Sequence, residues 1–391
     1  MTPHKSNATN KMITMADIAE RSGFSKFAVS LALRDDPRIK ESTRAHIRAV
    51  AAEMGYDPNH HAAARRMALR KQGKDLLNHT VALLFTTDST AVNYFARLLR
   101  SVVLELSERR YSLVFLLIPP HKDDPLTLPD NFARGDIDGL IWGPGINDVH
   151  PFLQELRQHP LLHARPVVSM LSSEVPGEDS VVFVDHCQGG YLAARHLLEL
   201  GHRHFLQFCH AIPEADLIFQ QRLTGIRQAL AEFHLDEAMH LHLFKMAGVE
   251  WIDPKNLYPN SGPAAEAEVS ASARKLIDYL SAHQEITALM ALNDATAIQA
   301  WYAVHAAGWR VPEDISIIGF DGTDPMIDDC GRNILTTVSL PLEAVGREAV
   351  RILIEQIETG QRMSIERLLP VELRVNRSTA PARECAVSSL Q

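Results

Sequence analysis

The sequence has few cysteines and no long apolar run. Its four cysteines among 391 residues show no CxxC spacing, which argues against a disulfide framework and a cysteine-based zinc site. No stretch of about 18 apolar residues is present, and the polar segment 1–10 lacks the apolar centre of a signal peptide. We therefore predict a cytoplasmic protein with reduced thiols and no membrane association.

The common enzyme motifs are also missing. The sequence contains no GxSxG, GxxxxGK[ST], HExxH or GxGxxG pattern. Three close histidine pairs occur without a carboxylate or cysteine at metal-ligand spacing: His60 and His61, His202 and His204, His240 and His242. We expect neither catalysis nor a bound metal or cofactor.

What the sequence does have is an uneven charge distribution. The net charge is −9, yet residues 1–75 hold 14 Lys and Arg against 8 Asp and Glu, while the remainder holds 25 against 40. A basic N-terminal segment on an acidic body is typical of a DNA-binding head joined to a soluble sensor. A charge imbalance that is exposed to solvent and has no function would give the same counts of charged residues.

The basic segment predicts three short helices between residues 12 and 57. Gly23 can adopt the positive φ of a tight turn, and Ser25 is a good N-cap for the helix that follows it. Apolar residues at helical spacing supply the three inner faces: Met15, Ile18 and Ala19; Val29, Ala32 and Leu33; Ile47, Val50, Ala51 and Met54. This arrangement is a helix-turn-helix.

The second helix favours DNA binding over a plain three-helix bundle. If Val29 and Leu33 point inward, the helical step sends Phe27, Leu31 and Arg34 outward. Such a face fits the major groove, where polar groups bond base edges and apolar groups touch thymine methyls. Packing of the same face against a neighbouring domain is the alternative.

From residue 80 the pattern changes to short apolar runs separated by longer amphipathic segments. Strands are predicted at 81–85, 113–118, 139–142, 167–171, 181–184, 205–208, 288–291, 315–319 and 335–338. Helices are predicted at 95–108, 189–200, 220–233, 264–283, 296–307 and 342–359. This alternation indicates parallel sheets covered by helices, with enough units for two similar lobes.

Short motifs that are shared with one known protein family occur along nearly the whole chain. Near the N-terminus they are 14–19 (Thr-Met-Ala-Asp-Ile-Ala), 23–26 (Gly-Phe-Ser-Lys), 29–34 (Val-Ser-Leu-Ala-Leu-Arg) and 54–59 (Met-Gly-Tyr-Asp-Pro-Asn). Later ones are 221–226 (Gln-Arg-Leu-Thr-Gly-Ile) and 308–321 (Gly-Trp-Arg-Val-Pro-Glu-Asp-Ile-Ser-Ile-Ile-Gly-Phe-Asp). Over residues 11 to 378 the chain resembles the lactose/galactose-repressor (LacI/GalR) family of bacterial transcription regulators.

The resemblance implies an α/β protein with an N-terminal three-helix helix-turn-helix headpiece. The rest would be a two-lobed, periplasmic-binding-protein-like core of Rossmann-like subdomains joined by three crossing strands. The expected boundaries are headpiece 12–57, hinge helix and linker 58–78, effector-binding core 79–378 and tail 379–391. Lobe one is expected at about 80–171 and 321–340, and lobe two at about 172–320 and 341–378.

The resemblance also implies the DNA contacts. Major-groove contacts are expected from Ser25, Lys26, Phe27, Ala28 and Ser30, with Thr14 and Asn59 near the phosphate backbone. The family inserts an apolar pair from the hinge helix into the minor groove, but that position is Arg65 here, and the next apolar residue is Met67. Either Met67 is the wedge in a shifted register, or arginine holds the centre.

Effector contacts are expected where strands end at the cleft between the lobes. Arg222 and Asp294 would offer a sugar both donors and acceptors, although a structural salt bridge would explain the same pair. The further candidates, each with a packing or capping alternative, are Asp88, Asn93, Tyr94, Trp142, Trp251, Asn293 and Asp321.

These expectations combine into one functional prediction. A homodimer binds double-stranded operator DNA as a transcriptional regulator of the repressor type, and a small-molecule effector, a sugar, binds between the core lobes and controls operator affinity. The same architecture serves release and co-repression. The alternatives are a sugar-binding module without DNA function, a regulator that responds to a purine or nucleoside, and a Rossmann-like enzyme, for which no catalytic arrangement is seen.

Overall fold

The computed structural model describes residues 13–33, 36–56, 77–86, 92–118, 132, 136–143, 158, 163–171, 179–209, 216–245 and 271–383. These residues belong to two compact units, Met1–Leu77 and Asn78–Gln391. The predicted Asn59, Arg65, Met67, Asp88 and Trp251 lie outside the described residues.

The described residues of the first unit form three helices: α1 (Met15–Ser22), α2 (Lys26–Ala32) and α3 (Glu41–Glu53). Thr14 and Asp17 form a capping box that begins α1, and Gly23 ends it with φ 74°. The Ser25 hydroxyl accepts a hydrogen bond from the Ala28 N–H and begins α2. The three helices bury one small core: Ile18, Val29, Ala32, Ile47 and Ala51.

The outer face of α2 differs from the prediction at one position. Phe27 is 69 % exposed, as expected, but Leu31 is only 9 % exposed, so its predicted outward position is wrong. The Asp36 N–H donates to the Leu31 carbonyl oxygen over 3.1 Å, so Asp36 lies against the end of α2. The periodicity of one helix predicts which side chains face its partner helices, but it cannot show which other segments of the chain lie against the helix.

In the second unit the described residues form two six-stranded sheets, which with their covering helices we name lobe one and lobe two. The strands of lobe one, in spatial order, are β11 (Glu366–Leu369), β5 (Ser180–Val184), β4 (Val167–Met170), β3 (Gly139–Trp142), β1 (Thr80–Thr86) and β2 (Ser112–Ile118), all parallel. The strands of lobe two are β12 (Glu372–Arg374), β10 (Thr336–Ser339), β9 (Ser316–Asp321), β8 (Ala288–Met290), β6 (Phe205–Cys209) and β7 (Leu241–Lys245). In lobe two only β12 runs antiparallel to its neighbour.

Helices cover both sheets. They are α4 (Val92–Glu108), α5 (His186–Glu199), α6 (Leu217–Glu232), α7 (Glu237–His240), α8 (Ala271–Ala282), α9 (Asp294–Ala306) and α10 (Leu342–Thr359). Because parallel strands are joined by helical crossovers, this is the α/β architecture that the sequence predicted. Among the described residues no helix is both long and apolar enough to cross a bilayer.

The chain passes between the lobes three times, from β5 to α5, from β10 to α10 and from β11 to β12. The prediction has a passage near residue 340, as observed, but it assigns the segments on both sides of that passage to the wrong lobes. The other two passages were predicted after residues 171 and 320, whereas they follow β5 and β11. Strand β10 pairs with β9 in lobe two, whereas β5 and β11 pair in lobe one, and α10 packs on lobe one strands. The strand periodicity identified the elements correctly, but only the ladder hydrogen bonds determine which sheet each strand joins.

Glycines set how closely α5 and α6 approach each other. A Cβ on Gly190 would lie 2.0 Å from the Arg222 carbonyl oxygen, and one on Gly225 would lie 1.8 Å from that of Cys187. Neither position therefore has room for a side chain. The close approach brings the backbone of Arg222 against α5.

Candidate functional site

Arg222 lies on α6 with its side chain buried in the core unit, although its residue type is usually exposed. One terminal nitrogen, Nη1, donates to the Leu292 carbonyl oxygen over 2.5 Å, and Nη2 lies 3.7 Å from Asp321 Oδ1. The guanidinium carbon stands 3.5 Å from the centre of the Phe320 ring. Nε has no hydrogen-bond partner among the described residues.

Asp321 is the acidic partner of this arginine. It ends β9 with φ 87°, a left-handed conformation that costs a non-glycine residue free energy. Burial raises the pKa of Asp321 to about 6, while nearby Arg222 lowers it. Such strain persists only where the surrounding structure enforces it, and it is concentrated at functional sites.

Tyr94 is the residue that lobe one contributes to the candidate site around Arg222 and Asp321. It lies in the first turn of α4, and burial raises its pKa, with the charge of Asp321 adding to the rise and that of Arg222 opposing it. Because both charges influence the Tyr94 hydroxyl, this residue of lobe one lies near the Arg222–Asp321 pair of the other lobe. The structure therefore brings together three of the predicted effector residues.

Asp294 has a different environment from the one predicted. It is 1 % exposed, and both carboxylate oxygens accept hydrogen bonds. Oδ2 accepts from the N–H groups of Thr323 and Asp324 over 2.7 and 3.2 Å, and Oδ1 accepts from the Thr337 hydroxyl over 2.5 Å. Burial raises its pKa to about 8. Asp294 therefore has a structural role, because these hydrogen bonds hold the turn after β9, residues 322–324, against β10.

That turn is where the lobes contact each other through α4. The Asn93 amide donates to Asp324 Oδ1 over 2.6 Å. Arg97, one turn further along α4, donates to the Gly322 carbonyl oxygen over 2.8 Å and forms a bidentate pair with Glu343. The same turn thus touches lobe one on one side and is held by Asp294 on the other.

Sequence reasoning missed His186. It is the first residue of α5, directly after the first passage between the lobes, and its ring stacks on Phe320 with centroids 6.0 Å apart. Burial and the charge of Arg222 lower its pKa to about 3, so the ring is neutral. Its Nδ1 has no hydrogen-bond partner among the described residues. The sequence signal that could have identified His186 as a site residue is its position directly after a predicted strand, where the chain crosses between the lobes.

Two other predicted effector residues have structural contacts. Asn293 is the N-cap of α9, and its side-chain oxygen accepts from the Thr296 N–H and hydroxyl over 2.8 and 2.7 Å. Trp142 is 2 % exposed and packs in the core of lobe one with Ala82 and Leu84. For Trp142 the structure favours the packing alternative over contact with the Arg222 group.

In the first unit the predicted DNA contacts cluster at the start of α2. Ser25, Lys26 and Phe27 are exposed, and Ala28 and Ser30 are half-buried. The Thr14 hydroxyl, at the start of α1, donates to Asp17 Oδ2 over 2.6 Å. The start of α2 therefore offers a cation and an exposed ring beside the positive end of a helix, which suits a nucleic-acid groove.

Comparison with known families matches both units. Residues 14–59 match the model described as bacterial regulatory proteins, lacI family, and residues 194–379 match the periplasmic binding protein-like domain. The transcriptional regulator DegA of Bacillus subtilis is 30 % identical over 374 residues, which cover 94 % of this chain and 98 % of that protein. The HTH-type transcriptional repressor PurR of Pectobacterium carotovorum is 28 % identical over 358 residues, which cover 88 % of this chain and 91 % of that protein.

Solved structures show the same fold. The lac repressor dimer bound to operator and the anti-inducer ONPF has a TM-score of 0.64 at 21 % identity, covering 95 % of this chain and all of that one. The complex of the transcriptional regulator CelR with cellobiose has a TM-score of 0.57 at 22 % identity, covering 94 % and 99 %.

A helix-turn-helix unit and a two-lobed core of this kind define a DNA-binding transcriptional regulator. The chain belongs to the LacI family of bacterial regulatory proteins, as the sequence motifs indicated.

Proposed function

We propose that this regulator is a cytoplasmic homodimer that binds a near-palindromic operator through its two headpieces and represses transcription. A small polyhydroxylated molecule, a sugar, binds between the core lobes beside Arg222 and changes operator affinity. The observation that carries the proposal is the buried Arg222 Nε, which has no hydrogen-bond partner among the described residues.

An unpaired buried donor is costly unless a ligand satisfies it. Asp321 supplies an acceptor beside the guanidinium, and Tyr94 supplies a hydroxyl from the other lobe. Sugar hydroxyls both donate and accept, so a sugar satisfies such a mixed set, and the Phe320 ring adds an apolar surface. Asp294 then acts as a positioning residue for the turn 322–324.

Ligand binding would act on the contacts that join the lobes. The turn that follows Asp321 holds Asn93 and Arg97 of α4. A molecule that contacts Tyr94 and Asp321 together favours one angle between the lobes over another. Coupling of about 1–3 kcal/mol between ligand and operator is the usual scale and changes occupancy several-fold or more.

On the DNA side, we assign base contacts to Lys26, Phe27, Ala28 and Ser30, and backbone contacts to Thr14, Ser25 and Asn59. The Ser25 hydroxyl already caps α2, so a backbone contact suits it better than base readout. Arg65 and Met67 remain our candidates for the minor groove at the operator centre.

The test uses the full chain and an operator selected from a random duplex pool. Sugars and nucleosides are screened by thermal shift, and active compounds are then added to the operator complex in a gel shift. R222M should lose the thermal shift and keep operator binding, while R227M, a control on the exposed side of the same helix, should keep both.

Three results would contradict parts of the proposal. Survival of the thermal shift in R222M would remove the ligand assignment. Failure to select any duplex would remove the DNA assignment. A nucleoside as the active compound would favour the alternative of a regulator that responds to a purine or nucleoside.

A further inference from the structure

A cluster of histidines lies on lobe two, away from the Arg222 group. His242 belongs to the edge strand β7, and His283 and Glu285 belong to the turn that follows α8. His283 Nδ1 is 3.0 Å and His242 Nε2 is 3.9 Å from Glu285 Oε1. One donor atom from each of the three residues lies within 4.8 Å of the other two.

We propose that His242, His283 and Glu285 bind a divalent transition-metal ion, with Zn²⁺ as the first candidate. The donors are two imidazole nitrogens and one carboxylate oxygen, a set that suits zinc and its neighbours, while Mg²⁺ and Ca²⁺ prefer oxygen alone. Three protein ligands leave a fourth position for water or another group.

The geometry is close to what such an ion needs. Bonds of about 2.0–2.2 Å in a tetrahedron place donor atoms roughly 3.3–3.6 Å apart. The observed separations of 3.0 and 3.9 Å bracket that range. The third pair of donors, one on His242 and one on His283, lies within 4.8 Å, so these side chains must rotate toward each other to bind one ion.

A supporting contact holds His242 in the right orientation. Its Nδ1 lies 3.2 Å from the Tyr279 hydroxyl, so the other ring nitrogen, Nε2, faces Glu285. Metal-bound histidines commonly donate their second ring N–H to such a partner, which fixes the tautomer. Tyr279 also packs against the His283 ring, with centroids 4.4 Å apart, and so supports two of the three ligands.

Two more imidazoles border the cluster. The ring centroid of His204 is 6.2 Å from that of His242 and 4.8 Å from that of His240. The spacing argument from sequence considered only neighbours along the chain and so predicted no metal site. The fold brings Glu285 and His283 to His242 from far along the sequence, which spacing cannot reveal.

The experiment uses the full chain after removal of any affinity tag and treatment with a chelator. Zn²⁺ is titrated by calorimetry, bound metal is measured after dialysis, and Co²⁺ is added to read coordination from its visible absorption. We expect one equivalent of metal, a rise in Tm, and a tetrahedral cobalt spectrum.

H242A, H283A and E285Q should each weaken binding more than tenfold, and Y279F by about tenfold as an orienting residue. H305A, an exposed histidine on α9, is the matched control and should bind normally. Absence of stoichiometric binding, or binding that persists in an H242A/H283A/E285Q protein of unchanged circular dichroism, would overturn the proposal. The site does not depend on the proposed effector or operator binding.

Discussion

The Asn93 side chain of lobe one donates a hydrogen bond to the Asp324 carboxylate of lobe two over 2.6 Å. N93D would place two carboxylates at this contact and should lower the free energy of unfolding by about 1–3 kcal/mol. Adding D324N restores an amide–carboxylate pair with the roles exchanged and should recover much of the loss. Urea unfolding of all four proteins gives the coupling free energy.

Small-angle scattering on the same four proteins reports whether the lobes separate. We expect a larger radius of gyration for N93D alone. Strictly additive effects in the double variant, with no change in scattering, would show that this contact does not hold the lobes together.

On the headpiece, F27A should weaken operator binding by about 1–3 kcal/mol, because the exposed ring is removed from the surface that we assign to the groove. The free energy of unfolding should change by less than about 0.5 kcal/mol, as at other exposed sites. Fluorescence anisotropy with the selected operator measures the first effect and thermal melting the second.

V29A is the matched variant on the same helix. Val29 is fully buried, so its truncation should cost about 1–3 kcal/mol of headpiece stability. Equal operator affinity in F27A and the parent protein would remove Phe27 from the DNA surface.

G190A and G225A should destabilise the core even though alanine favours helices. Replacing an unstrained helical glycine gains about 0.5–1 kcal/mol, but these methyl groups would collide with backbone carbonyls of the opposite helix. We expect a net loss of about 1–3 kcal/mol and weaker effector binding, since α6 carries Arg222. T224A, on the exposed side of α6, should leave both quantities nearly unchanged. Urea denaturation and thermal shift distinguish the variants.

The pH dependence of stability should reveal Asp294. Its pKa rises from 3.8 in an unperturbed carboxyl to about 8 in the folded protein. Between these two pH values the folded state therefore holds a proton that the unfolded state has released. The resulting contribution to the free energy of unfolding is fully present below about pH 4 and is lost as the pH rises through about 8.

D294N removes the proton uptake while its amide keeps partners at Thr323 and Thr337. The free energy of unfolding of the parent should fall more steeply over this window, by up to about 1.4 kcal/mol per pH unit, than that of D294N. Parallel curves for the two proteins would mean that Asp294 titrates normally.

The sequence was sufficient for the elements whose pattern is local. Gly23 and Ser25 predicted the turn and cap of the headpiece, and all nine predicted strands are present in the two sheets. Strand β7 was missed because His242 and Lys245 weaken its apolar run, and β11 and β12 because they are short and exposed. Edge strands need less apolar character than central ones, so composition identifies them poorly.

The candidate site was predictable only in part. Arg222, Asp321 and Tyr94 were chosen as ligand residues and lie together, but the inward hydrogen bonds of Asp294 depend on Thr323 and Thr337, which come from other elements. His186 was missed because its importance comes from Phe320 and Arg222 beside it. Contacts between distant segments decide what a polar side chain does, and no local pattern records them.

The three passages of the chain have a consequence for biosynthesis. Lobe one starts with β1 yet is completed by α10 and β11, which leave the ribosome after nearly all of lobe two. The apolar strands of lobe one that are synthesised early therefore keep one unpaired sheet edge until translation is almost complete. A product that stops before residue 340 would leave both lobes incomplete, so premature termination should yield degraded chains in place of a free DNA-binding sensor fragment.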